Sequence, residues 1–247
     1  MAGVRIQLRK TSFVDYPGRI SSVFFFYGCN LRCPWCHNRQ LITGVPEDHV
    51  SIEEGLAHLQ KRKQVLGGVV LSGGEPCLCP DLPDIIREIK KTTLPVKLDT
   101  NGMFPSLLEK LFLQEESRPD YIALDLKIAP ERYKDLLAAK EPSDRRSAVG
   151  EGTPYPASLL CQSARLIREA GISHEYRTLA LPEGFVSEKD IEALAPLADC
   201  SPWYFRPFAG GNCLDSAWDT LDSPAAPEVE ALAKKSRELG KVGIAIN

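Results

Sequence analysis

The chain has no apolar run approaching the ~18–20 residues that a membrane helix requires. Its strongest run, residues 23–27, has only the length of a strand, so no membrane partner is expected. It also has no basic excess. Thirty Lys and Arg against 33 Asp and Glu leave a net charge of −3, which removes the electrostatic footprint of nucleic-acid binding. The opening stretch MAGVRIQLRKTSFVDYPG lacks the apolar core of a signal peptide, and a cytoplasmic location with reduced thiols is expected. Short repeats and low-complexity tracts are missing too.

What is present is the composition of an ordinary globule, 247 residues with 43% hydrophobic and 26% charged. A chain of this size buries enough surface to fold without a disulfide or a structural metal. A single domain over residues 1–247 is therefore expected, and any metal site reads as chemistry first. Eight cysteines in a reducing compartment point the same way.

Short apolar runs at 20–27, 68–71, 95–99, 121–125, 174–181, 203–208 and 242–246 read as strands covered on both faces. Helical periodicity fills the gaps: Ile52, Leu56 and Leu59 behind a Ser51/Glu54 capping box, then Leu82 to Ile89, Leu107 to Phe112, and Leu160 to Ile167 stopping at Gly171. Ile191 to Ala198 after Ser187 and Val229 to Leu239 before Gly240 complete the set. Alternating strands and helices predict an α/β fold with a parallel sheet, as a partial barrel of six or seven units or a doubly wound sheet. In either, function gathers at the C-terminal ends of the strands. Residues 140–156, rich in Pro, Gly, Ser and charge, read as a flexible surface insertion.

The first parallel strand runs into YGCNLRCPWCHN, where Cys29, Cys33 and Cys36 are spaced C-x3-C-x2-C. Thiolates suit iron–sulfur clusters, zinc or Cu(I). Three ligands on one loop can hold three irons of a four-iron cluster and leave the fourth iron open, whereas a closed structural site normally has four protein ligands. A zinc site completed by His37, c-type haem attachment at Cys33 to His37, and a thioredoxin-like pair are the competing readings.

Later strand ends carry further polar groups. Gly73, Gly74, Glu75 and Pro76 follow the second strand, where paired glycines let backbone come close to a ligand and a carboxylate can accept from an ammonium group; a plain turn is the alternative. The third ends in Asp99, Thr100, Asn101 and Gly102, readable as an Asx turn. The fourth places Asp125 and Lys127 on one face, readable as a structural ion pair. Arg177 on the fifth suits a carboxylate partner or a surface salt bridge. Their alignment along the strand ends is what one shared site predicts.

Taken together, TSFVDYPG, CNLRCPWCHN, SGGEP, KLDTNG, LDLK, HEYRT and FRPFAGGNCLD resemble the glycyl-radical-enzyme activating proteins of the radical S-adenosylmethionine superfamily, in particular those acting on anaerobic ribonucleoside-triphosphate reductase. The likeness runs from about Thr11 to the C-terminus. It implies a partial (β/α)6 barrel, a [4Fe–4S] cluster on Cys29, Cys33 and Cys36, and S-adenosyl-L-methionine (SAM) as cosubstrate. It further implies reductive cleavage of SAM to a 5′-deoxyadenosyl radical, which takes a hydrogen from one glycine of a partner enzyme. The electron would come from a donor such as flavodoxin or ferredoxin. By the same resemblance Trp35 lies against the adenine, Gly73 to Pro76 meet the methionine amino group, and Asn101, Lys127 and Arg177 contact SAM. Asp99, Thr100 and Asp125 are implied to hold a monovalent cation, and Asp15, Tyr16, Pro17 and Gly18 to meet the incoming glycine loop.

The chain departs from the family in several places. Cys77 and Cys79 follow the GGEP motif and Cys213 follows the sixth strand; together with Cys161 and Cys200 these read as ordinary unligated thiols. A cysteine-rich ferredoxin insert is missing, and the sixth strand offers Arg206 and Phe208 but no histidine. A radical SAM enzyme acting on a small molecule and a non-catalytic zinc or iron–sulfur module are the alternative functions.

Overall fold

A computed structural model describes residues 3–44, 48–137 and 156–246. The strands are β1 (Arg5–Tyr16), β2 (Arg19–Phe26), β3 (Val50–Ser51), β4 (Gly68–Gly73), β5 (Val96–Thr100), β6 (Tyr121–Asp125), β7 (Ser173–Ala180), β8 (Pro202–Pro207) and β9 (Val242–Ala245). The helices are α1 (Arg39–Thr43), α2 (Ile52–Arg62), α3 (Leu82–Lys90), α4 (Pro105–Phe112), α5 (Pro156–Glu169), α6 (Glu188–Leu194) and α7 (Ala226–Glu238). The insertion expected at 140–156 lies outside the described residues, except that Pro156 opens α5.

All nine strands form one sheet in the order β3-β1-β2-β4-β5-β6-β7-β8-β9. From β2 to β9 every pairing is parallel, with a helix in each connection. This is the mostly parallel α/β sheet of a partial (β/α)6 barrel, six strand–helix units and a last strand. The seven expected parallel strands and six expected helices are all present. Where a terminus was legible, its chemistry is intact: Ser51 Oγ accepts from Glu54 N (3.2 Å) while Glu54 accepts from Ser51 N (2.8 Å). Gly171 and Gly240 take the positive φ that follows a helix end.

Two strands went unread. β1 is twelve residues long and pairs antiparallel with β2 around a turn at Pro17–Gly18. Its register breaks twice, between Arg9 and Ser12 and between Ser12 and Tyr16, so its apolar alternation is lost. The two-residue β3 pairs with Arg5 and Ile6.

The faces of the sheet also differ from expectation. One is apolar: Phe24, Phe26, Val69, Leu71, Val96, Leu98, Ile122, Leu124 and Tyr176 join the main core with the helices. The other holds a small cluster of Tyr16, Val23 and Val70 with Phe25 and Tyr121. Beyond that cluster it becomes polar. Side chains alternate along a strand, so Ser72, Lys97, Asp99, Tyr121, Asp125, Glu175 and Arg177 share this second face. The runs look apolar because each contributes only one or two polar residues to it.

Candidate active site

The loop leaving β2 carries the three cysteines. Its start is fixed by close backbone packing. Gly74 N donates to Phe26 O (2.9 Å) and Glu75 N to Gly28 O (2.9 Å). A Cβ on Gly74 would stand 1.9 Å from the Gly28 carbonyl oxygen, and one on Gly73 2.4 Å from Phe26 N. The paired glycines thus admit the backbone of the cysteine loop. Asn38 Nδ2 donates to Gly73 O (2.9 Å), and Arg32 caps the Cys29 carbonyl at 2.6 Å. The spacing alone gave no signal for these two residues, although Asn38 closes the CHN triplet.

Cys29, Cys33 and Cys36 line one cavity of about 480 Å³, within the range of small-molecule sites. The same cavity is lined by Trp35, Gly73, Gly74, Glu75, Asp99, Thr100, Asn101, Asp125, Lys127 and Arg177. Of the residues singled out at the strand ends, Pro76 and Gly102 stay off its wall; Pro76 is buried at the start of a 3₁₀ turn. Asp15 also reaches the wall, but Tyr16 joins the small apolar cluster and Pro17–Gly18 turn at the opposite end of β2 from the cysteines. Arg206 lines the cavity and an adjoining cleft of about 220 Å³.

Glu75 is 1% exposed, and its carboxylate accepts from Cys77 N (3.0 Å), Thr100 Oγ1 (2.9 Å) and Asn101 N (2.8 Å). Burial still raises its pKa, the three donors opposing it. Asn101 Nδ2 reaches Asn30 Oδ1 at 2.8 Å and Cys29 Sγ at 3.8 Å. Thr100 therefore faces Glu75, apart from the two aspartates with which it was grouped.

Those aspartates meet cations of the chain. Register sets Asp125 beside Arg177, and Arg177 Nε donates to Asp125 Oδ1 at 2.9 Å. Arg177 also reaches Asp99 Oδ2 at 3.3 Å, and Lys127 Nζ donates to Asp125 Oδ2 at 3.1 Å. Burial alone would push the Asp125 carboxyl up, but Arg177 and Lys127 outweigh it and hold it at about 2. Burial disfavours charge on Lys127 and Arg177 as well, yet Asp125 outweighs it and raises both.

Trp35 is buried within a group of rings, its centroid 5.3 Å from both Phe185 and Trp218. Trp218 was not anticipated, because the loop that carries it shows no periodicity.

The donor set suits an iron–sulfur cluster. The three thiols are free, soft ligands on one wall. Burial pushes the Cys29 thiol up to about 11, with Glu75 adding to it, and the Cys33 thiol up to about 12. Cluster binding must therefore displace their protons. Of the other cysteines, Cys77 is buried with Sγ 3.6 Å from Thr100 Oγ1, while Cys161 and Cys200 are exposed. Cys161 lies on α5, as expected, but Cys200 sits in a bend before β8, not on a helix.

Fold, cavity and three cluster-spaced thiols define a radical SAM enzyme. The family model described as "Radical SAM superfamily" matches residues 23–195, and the chain belongs to that superfamily, whose members use a [4Fe–4S] cluster and SAM. It is 30% identical over 233 residues, 94% of this chain and 88% of the other, to a candidate glycyl-radical enzyme activating enzyme of Methanocaldococcus jannaschii. It is 34% identical to the pyruvate formate-lyase-activating enzyme of Clostridium pasteurianum over 125 residues, about half of each chain. Among solved structures, a radical SAM methyltransferase from Sphaerobacter thermophilus superposes with a TM-score of 0.66, covering 96% of this chain and 68% of that one at 18% identity. That likeness shows the fold alone. No helix among the described residues is long and apolar enough to cross a membrane.

Proposed function

We propose that the chain is a glycyl-radical-enzyme activase whose protein substrate is an anaerobic ribonucleoside-triphosphate reductase. The observation that carries this reading is the convergence on one cavity of the three thiols, the Glu75 carboxylate, Asn101, Lys127 and Arg177, with Asp15 at its wall. Beside Asp15, Phe13 and Val14 are 75% and 78% exposed. An exposed apolar pair next in the chain to a residue of the cavity wall suits a polypeptide better than a small polar molecule. The relative matched over 94% of this chain supports the same class.

In this reading Cys29, Cys33 and Cys36 ligate the cluster, and the Asn101 amide steadies the Cys29 sulfur. Glu75, already held by three donors, offers its remaining acceptor capacity to the methionine ammonium group. Gly73 and Gly74 hold the cysteine loop against β4. Lys127 and Arg177 face the methionine carboxylate, and Trp35 walls the adenine. When bound, the cluster and SAM supply one-electron cleavage of the sulfonium and, from it, hydrogen abstraction from glycine. A flavodoxin or ferredoxin supplies the electron. The protein contributes placement and exclusion of water.

The test is incubation of the anaerobically reconstituted chain with SAM, a reductant and an anaerobic ribonucleoside-triphosphate reductase. A glycyl radical in the electron paramagnetic resonance spectrum is expected. SAM cleavage with no radical on any glycyl-radical enzyme would sink the activase assignment. Each of Cys29→Ala, Cys33→Ala and Cys36→Ala is expected to lose most of roughly four irons per chain and all 5′-deoxyadenosine formation.

A further inference from the structure

We infer that Arg177, steadied through Asp99 by the buried Lys97, is the fixed cation of this site, and that Asp99 and Asp125 take no monovalent metal ion. The inference rests on the assignment of the cavity to SAM only for its function, not for its geometry.

Every oxygen of the two carboxylates has a cationic partner from the chain. Asp99 Oδ1 meets Lys97 Nζ at 2.5 Å, while Oδ2 accepts from Ser72 Oγ (3.0 Å) and faces Arg177 (3.3 Å). Asp125 Oδ1 takes Arg177 through Nε and a terminal nitrogen, each at 2.9 Å, and Oδ2 takes Lys127 at 3.1 Å. Thr100, the third ligand implied by resemblance, gives its hydroxyl to Glu75. A metal ion here would have to displace a guanidinium contact and sit beside three positive charges.

Lys97 explains why the arginine stays in place. It is 1% exposed, and a lysine that deep is tolerated only when paired. Its second partner is Glu175 Oε1 at 3.8 Å, and Glu175 Oε2 accepts from Tyr121 OH at 3.0 Å. The chain Tyr121–Glu175–Lys97–Asp99–Arg177–Asp125–Lys127 crosses the polar face of β5, β6 and β7. Three cations balance three carboxylates, so the array is neutral without an added ion. A planar guanidinium spanning two carboxylates is set in orientation as well as charge, which a spherical ion cannot match. Arg177 can then present a fixed positive edge to the cavity it lines.

Two measurements on the full reconstituted chain test this. The first follows binding of Tl⁺, a stand-in for K⁺, by ²⁰⁵Tl NMR without SAM. No saturable site is expected in the wild type, and one is expected in Arg177→Gln, where the aspartates lose their bridge. A saturable wild-type site abolished by Asp99→Asn would overturn the proposal. The second measures SAM affinity in KCl, NaCl or N-methyl-D-glucamine chloride at equal ionic strength. Less than twofold variation is expected for the wild type. For Arg177→Gln, about tenfold weaker binding in N-methyl-D-glucamine, partly restored by K⁺ or Na⁺, is expected. A fivefold or larger gain of the wild type from either metal ion would overturn the proposal. For Lys97, the charge-balanced Lys97→Met/Glu175→Gln pair separates positioning from bulk stability. It is expected to keep the native circular dichroism and still bind SAM at least fivefold more weakly; native affinity would remove Lys97 from the argument. If the wild type bound no SAM, the proposed function would fail while the Tl⁺ measurement still decided this one.

Discussion

Asn101 Nδ2 stands 3.8 Å from Cys29 Sγ and 2.8 Å from Asn30 Oδ1, so the end of β5 holds the cysteine loop that leaves β2. A second bond, from Met103 N to Asn101 Oδ1 at 3.0 Å, fixes the amide orientation. Asn101→Ala removes the tether without touching a thiol. Iron content is expected to stay within about a fifth of wild type, while SAM cleavage falls roughly 10–100-fold, the worth of a hydrogen bond to a charged group. Iron analysis and 5′-deoxyadenosine formation check this. Loss of iron in parallel with activity would mean that Asn101 acts on cluster assembly.

Gly74→Ala is expected to cost about 3 kcal/mol, because its Cβ would collide with the Gly28 carbonyl and backbone cannot yield as a side chain can. For a chain of this length that is a fall in Tm of roughly 6–12 °C. Gly44→Ala serves as the control, having extended backbone and nothing within 4 Å of the new methyl. Equal melting temperatures for the two variants would refute the close approach.

Asp190 gives the pH dependence. It is buried at the start of α6 and accepts from Ala129 N, Ser187 N and Arg132. Burial raises its carboxyl, but the Ala129 and Ser187 bonds with Arg132 outweigh it and hold the pKa below the ordinary value. A pKa depressed by folding contributes stability that is present above the unfolded value near 4 and is lost as pH falls below it. Asp190→Asn is therefore expected to lower stability by about 2 kcal/mol at pH 6 and by progressively less below pH ~4. A pH-independent difference in urea midpoints would contradict the assignment.

Trp218→Ala opens the ring group around Trp35. With Phe208 at 5.9 Å as a third neighbour, the loss is expected to be about 2–3 kcal/mol at ~1 kcal/mol per aromatic pair. Because Trp35 is loosened and no reacting group is touched, the KM for SAM should rise several-fold while kcat changes less than twofold. Trp218→Phe should recover most of both. A kcat defect at unchanged KM would place Trp218 elsewhere in the mechanism.

Much of the scaffold was legible along the chain. The parallel strands and the longer helices announce themselves because burial against neighbours imposes a local period. β1 did not, since Lys10, Thr11 and the two register breaks interrupt its alternation. α1 is too short, at five residues, to show a period. The pair Asp125/Lys127 was visible as alternate residues, but its cross-strand partner Arg177 was not, and Lys97 and Glu175 carried no signal of their own. Trp218 lies in a loop whose ring neighbours, Trp35, Phe185 and Phe208, come from three other segments, and Arg206 reaches the cavity wall from β8, where it pairs with β7.

Sequence alone determined the candidate groups and their spacing: three thiols on one loop, with glycines, a carboxylate and an amide at the next strand ends. Those features depend on residue identity and on contacts a few positions apart. Only the tertiary structure decided which groups meet. Parallel register places Arg177 beside Asp125 from 52 positions away, and the return of β4 presses Gly74 onto Gly28. Such contacts form only when distant strands align, so no local pattern encodes them; they are what set Arg177 against Asp99 and Asp125.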